Sequence, residues 1–245
     1  MTALRSAVAV MNAERIKLTT VRSPLWSAGA AMVLSFGIAA LQAATAYDYQ
    51  RLTAPEAALG VAVFGVPILM VVAAITVTGE YRTRMICTTF LTSPHRIRVI
   101  TAKAVVAAMF SSVVAAVMVA GSIAVARVEV TADGWRTAAA VALYAALAAV
   151  LGVGVAALLR HTAGAVSVLL LWPLLVEPLL GNLPGRGMQI GPYLPFANAF
   201  RFLEVQWLFP TYTVPWGLPG SLGYFAAIVG AVFAVALVVV NRRDA

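Results

Sequence analysis

Charge is scarce in this chain of 245 residues: 11% of positions are Asp, Glu, Lys or Arg, against 62% hydrophobic. With a mean hydropathy of +0.94, that much apolar surface has no place in a water-soluble fold, and the composition is that of an integral membrane protein. Cysteine is nearly absent. The single Cys87 excludes an internal disulfide and a multi-cysteine metal site. Histidine is confined to His95 and His161, in separate polar segments, so no H-E-x-x-H zinc motif exists and no intramembrane protease can pair a serine with a histidine inside the bilayer. The only lysines are Lys17 and Lys103, and neither follows a glycine, which excludes a phosphate-binding G-x-x-x-x-G-K-[ST] loop. G-x-S-x-G is missing too. The chain therefore reads as a non-enzyme with no metal and no cofactor of its own.

Uninterrupted apolar runs are what remains. No charge lies between Arg22 and Asp48, Glu56 and Glu80, Lys103 and Arg127, Arg136 and Arg160, or Glu204 and Arg242, and only Glu177 interrupts Arg160 to Arg186. Each run exceeds the roughly 20 residues a helix needs to cross the hydrocarbon. Lipid offers no partner to backbone N–H and C=O groups, so six spans mean six helices. Continuous runs without apolar/polar alternation exclude a membrane barrel. The fold class is all-α, polytopic, in a single transmembrane domain over residues 1–245. Placing both termini inside assigns Arg5, Arg15, Lys17, Arg22, Arg82, Arg84, Arg96, Arg98, Lys103, Arg160, Arg242 and Arg243 to the cytoplasmic face, twelve of the 17 basic residues. The remaining five, Arg51, Arg127, Arg136, Arg186 and Arg201, fall outside. That asymmetry predicts an N-in, C-in topology. The formal charge of +8 then faces anionic lipid headgroups, and nucleic acid is not needed to explain it.

Residues 1–22 precede the first span. Leu4, Val8, Met11, Arg15 and Leu18 make one helical stripe, with Arg5, Asn12, Glu14 and Lys17 off it, which predicts an amphipathic helix in the inner interface. Its apolar neighbour is too long for the core of a cleaved signal peptide. Ser23-Pro24 is expected to restart the chain as N-cap and first helical residue. Pro67 predicts a kink in span two. Span four is rich in Ala and Gly, including Ala145, Ala149, Gly152 and Ala156, and is expected inside the bundle or at a subunit contact. In span five, Trp172-Pro173 and Glu177-Pro178 are expected to break the outer half of the helix. Glu177 has two readings: a substrate or proton contact, or a carboxylate reaching outer water through that break. The outer segment 182–220 carries six prolines and a stripe of Phe196, Phe200, Leu203 and Trp207 opposed by Asn198 and Arg201. It reads as short helices at the outer interface, with Glu177, Phe196, Phe200 and Trp207 as an outer-gate set. No internal repeat marks the inverted halves of a secondary transporter.

Between spans two and three lies a polar island, residues 79–103, which opens Gly79-Glu80-Tyr81-Arg82-Thr83-Arg84 and continues through Ser93-Pro94-His95-Arg96-Ile97-Arg98. It is long enough to hold a short helix and meet a partner in water.

Two stretches resemble the permease subunits of bacterial type-two ABC exporters. The first is the leader run Glu14-Arg15-Ile16-Lys17-Leu18 with Arg22-Ser23-Pro24-Leu25-Trp26, similar to the E-x-x-K-L-x-x-x-R-S pattern of small members. The second is Glu80-Tyr81-Arg82 closing span two, where the family shows E-Y-R-x-G-T; here Arg84-Met85 replaces Gly-Thr. The resemblance implies an export permease in the bacterial plasma membrane that pairs with a second permease chain, identical or homologous. Separate ABC ATPase subunits would bind ATP and Mg. It also implies ATPase contacts through the leader (Glu14, Arg15, Lys17, Arg22) and through a coupling helix spanning Met85 to Leu91, with Glu80, Tyr81, Arg82, Arg84, Ile86, Phe90 and Arg96 as the coupling set. Ile86 and Phe90, four apart, would offer an apolar face to a groove on the partner. Few polar groups in the spans point to a hydrophobic or amphipathic cargo. The alternative is a self-contained secondary transporter or channel.

Overall fold

The structure, a computed structural model, describes residues 2–46, 52–83, 85, 96–129, 132–207 and 209–242, with the side chains of residues 2–8 and 19 outside that description. Among the described residues it is all-helical. Six helices are long and apolar enough to cross a membrane, so the chain is a multi-pass membrane protein. The leader forms α1 (Thr2–Thr20), and α2 (Arg22–Thr45) is the first span. A short α3 (Ala54–Ala57) precedes a wide π turn (Val61–Gly65) and α4 (Val66–Arg82), which together make the second span. The third and fourth are α5 (Arg96–Val125) and α6 (Ala132–Leu159). The fifth joins α7 (Thr162–Leu171), a second π turn (Trp172–Val176) and α8 (Glu177–Gly181). Then come α9 (Gly187–Ile190), a 3₁₀ turn (Gly191–Tyr193), α10 (Pro195–Leu203) and the last span, α11 (Leu218–Arg242).

Spans two and four form the centre. Of their most apolar stretches 72% and 61% is buried, against 22% in each of spans one and six. Small side chains make this possible. A Cβ on Gly152 would sit 2.4 Å from the carbonyl oxygen of Met70, and one on Gly154 would meet the Phe233 backbone at 3.4 Å. The α6 backbone therefore lies directly against α4 on one side and α11 on the other, as the Ala/Gly composition predicted. With no hydrophobic drive between helices in lipid, close approach of this kind is the main source of association.

The prolines of spans two and five are each accommodated by a π turn. Each π turn ends two residues before a proline: Val61–Gly65 before Pro67, and Trp172–Val176 before Pro178. The proline ring collides with the carbonyl four residues back and supplies no N–H. The turn widens instead, and Val66 and Glu177 donate their N–H groups to Val61 and Trp172, five residues back. Span five is therefore continuous and not broken in its outer half. Two smaller corrections concern α2 and α10. Val21, not Ser23, occupies the N-cap of α2, and Pro24 falls within the first turn, where an N–H has no intrahelical partner to lose. α10 stops at Leu203 because Glu204 turns left-handed (φ 55°), so Trp207 lies beyond the helix and off the helical stripe.

Candidate functional site

The charged residues of the leader and of the polar island meet at one end of the bundle. In α1, Glu14, Lys17 and Leu18 stand at i, i+3 and i+4 and share a face. That face turns inward against α5. Glu14 is 5% and Leu18 7% exposed, while Arg15 and Ile16 are exposed. The apolar stripe read from the sequence left Glu14 and Lys17 off it; the structure keeps Leu18 of that stripe buried but rolls the helix so that Glu14 also faces inward and Arg15 outward, because buried partners await Glu14 and Lys17. Glu80, in the last turn of α4, and Lys103, two turns into α5, are 8% and 2% exposed.

The four side chains close a ring. Lys17 Nζ donates to Glu14 Oε1 at 2.9 Å and to Glu80 Oε1 at 2.8 Å. Lys103 Nζ donates to Glu14 Oε2 at 2.6 Å and to Glu80 Oε1 at 2.8 Å. Two carboxylates and two ammonium groups leave the ring neutral, the condition under which buried charge is tolerated. Burial alone would lower the Lys17 pKa, but hydrogen bonds and charge from Glu80 and Glu14 outweigh it and hold the ammonium above its ordinary value of 10.5. The ring ties the leader to spans two and three at the point where the chain leaves α4 for the island. Lys103 is the residue the sequence reading missed as a site member. Its signal was there: it is one of only two lysines, set between apolar residues on the first turns of a span.

The rest of the expected coupling set divides. Tyr81 is half-buried, with the Arg160 guanidinium carbon 5.1 Å from its ring centroid. Arg82 is exposed, Arg22 is exposed on the first turn of α2, and Arg96 begins α5. Arg84, Ile86 and Phe90, with the expected helix from Met85 to Leu91, lie outside the described residues, Met85 excepted. Beside the ring, between α1, the start of α2 and the last turns of α4, is a cavity of about 410 Å³ with largely apolar walls.

At the other end, Glu177 is fully buried. Its Oε2 accepts the backbone N–H of Phe196 at 2.8 Å and of Ala197 at 3.1 Å, and its Oε1 accepts Trp172 Nε1–H at 2.8 Å. Those N–H groups belong to the first turn of α10, where the helix dipole favours an anion. The reading of a carboxylate reaching outer water through a break in the helix is thereby corrected: the helix has no break there and the group has no water contact. Phe196 and Phe200 are each 3% exposed and pack with Phe225 and Tyr144, while Trp207 meets Phe64 edge-on. Asn198, expected on an outward face, is 2% exposed. It donates to the carbonyls of Pro192 and Leu194 and accepts the Trp216 Nε1–H at 3.0 Å. Arg201 donates to the Trp216 carbonyl and to Ser221 Oγ. Segment 182–220 is thus a cap of short helices whose polar side chains stitch it to the start of α11.

Among the described residues no three His, Cys, Asp or Glu side chains gather in a metal-sized group, and His161 uses its Nδ1 to accept the Gly164 N–H at the start of α7. No family model matches the chain, and no curated protein is similar to it.

Proposed function

We propose that the chain is the membrane-spanning permease subunit of an ATP-driven exporter of the type-two ABC class. In this reading it carries a hydrophobic or amphipathic compound across a bacterial plasma membrane, with both termini cytoplasmic. The observation that carries the reading is the ring of Glu14, Lys17, Glu80 and Lys103. A permease that hydrolyses nothing must take up its partner's motion through a stiff element and pass it to the spans. The ring joins the leader helix, the end of span two and the start of span three into one unit, and the polar island emerges from it. The two stretches that carry the family resemblance, Glu14 to Trp26 and Glu80 to Arg82, supply three of its four members. A second permease chain and two ATPase subunits complete the machine.

The alternative, a self-contained secondary transporter or channel, requires an ionisable group that can exchange ions within the spans. Glu177 carries three hydrogen bonds and closes a helix end, which favours the permease reading. The test is co-purification with an ATPase encoded beside this chain. Ile86→Asp with Phe90→Asp should release the ATPase and leave membrane insertion intact. Unchanged co-purification removes the coupling assignment, and nucleotide-independent transport by the chain alone removes the permease reading.

A further inference from the structure

The cavity beside the ring has a composition that fits one kind of occupant. Its walls are apolar: Leu18 from α1, Pro24 from α2, and Val72 and Ile75 from α4. Val72 and Arg82 bound it along α4, ten residues apart, so it runs about 15 Å along the helix axis at 1.5 Å per residue. Its polar end lies at the level of the helix termini, where Ser23 stands in the first turn of α2 and Arg82 closes α4. The charges there do not cancel. Glu14, Lys17, Glu80 and Lys103 neutralise one another. Arg82 also lines the cavity, is exposed, and has no ion pair or hydrogen bond through its side chain among the described residues. Lys17 spends two of its three N–H donors on the carboxylates, and its side chain is 41% exposed.

We infer that this cavity is a binding site for an anionic phospholipid of the leaflet on the leader side. One acyl chain lies along Val72 and Ile75, and the phosphate is held by the Arg82 guanidinium, with the spare Lys17 N–H as second donor. The chemistry is that of a basic pocket between membrane helices, and the planar guanidinium fork suits two phosphate oxygens at once. The site does not depend on the exporter reading, since it needs neither a partner chain nor nucleotide.

The test is native mass spectrometry of the full chain, delipidated in detergent and titrated with phosphatidylglycerol or phosphatidylcholine of identical acyl chains. The wild type should retain one phosphatidylglycerol about tenfold more tightly than phosphatidylcholine, the worth of one charge-assisted contact. Arg82→Gln should abolish that preference and leave the phosphatidylcholine affinity in place. Ile75→Trp, which fills the tail groove from a position already 38% exposed, should weaken both lipids. Thermal unfolding of each variant checks that it is folded, and if Ile75→Trp is not, the Arg82→Gln comparison decides alone. Equal retention of the two lipids, or a preference unchanged in Arg82→Gln, overturns the assignment. So does a wild type that takes up neither lipid.

Discussion

Glu177 closes the amino end of α10 by accepting the backbone N–H of Phe196 at 2.8 Å across nineteen residues of chain. The one acidic group within an apolar run is thus spent on holding the cap of short helices to the fifth span. Its removal should loosen residues 187–203 before it affects anything else. Glu177→Ala leaves the Phe196, Ala197 and Trp172 donors without their acceptor, at about 1–3 kcal/mol for each buried donor unpaired. Glu177→Gln keeps one acceptor oxygen and loses the other with the charge, setting its NH2 against either Trp172 Nε1–H or the α10 N–H groups. Thermal unfolding in detergent should rank wild type above Gln and Gln above Ala, and tryptic cleavage at Arg201 should accelerate in the same order.

The ring at the opposite end predicts a non-additive pair. Lys103→Met leaves Glu14 and Glu80 sharing Lys17 alone, and breaking one partner out of a buried ionic group costs about 3–5 kcal/mol. Removing a carboxylate as well, in Lys103→Met with Glu14→Gln, restores neutrality. The double variant should unfold at a higher temperature than Lys103→Met alone. If the two losses simply add, the ring is not a coupled unit.

Lys17 gives a pH signature of known sign. Its folded pKa lies above the ordinary 10.5, so the ammonium's contribution is complete below the unfolded value and is lost as pH rises through the folded one. The difference in melting temperature between wild type and Lys17→Met should be constant from neutral pH up to about 10 and shrink beyond 10.5. A difference that already falls between pH 7 and 9 contradicts the geometry.

Glycine positions in two helices separate packing from backbone freedom. Gly152→Ala drives a methyl against the Met70 carbonyl, whereas the same change at Gly37 meets nothing within 4 Å. The first should destabilise by about 1–3 kcal/mol through overpacking. The second should be neutral or gain up to about 1 kcal/mol from the improved helix propensity. Differential scanning fluorimetry of the two variants makes the comparison.

Much of the architecture was legible because the bilayer imposes it. A charge-free run of sufficient length has only one solution, and all six runs became helices at the expected places. The small residues of span four pointed to its central position for the same reason: at Gly152 only glycine allows the Met70 contact. The details that were not legible depend on partners distant in sequence. The roll of α1 is decided by Lys103 and Glu80, which no pattern within residues 1–22 can reveal. The continuity of span five depends on a π turn that absorbs Pro178, an outcome composition does not separate from a break. Asn198 looked like a solvent-facing residue because its acceptors and donor, the Pro192 and Leu194 carbonyls and Trp216, are brought to it only by the fold of the cap.

The ring also orders the birth of the protein. Glu14 and Lys103 are separated by 89 residues, so while the first two spans enter the membrane the leader has half of its ring still unmade. Glu14 and Lys17 can pair with each other and then with Glu80, but the neutral set is completed only when the third span follows. The neutral ring is therefore complete only once Lys103 is in place, and a nascent chain stalled before it can hold its leader to the spans through Lys17 and Glu80 alone.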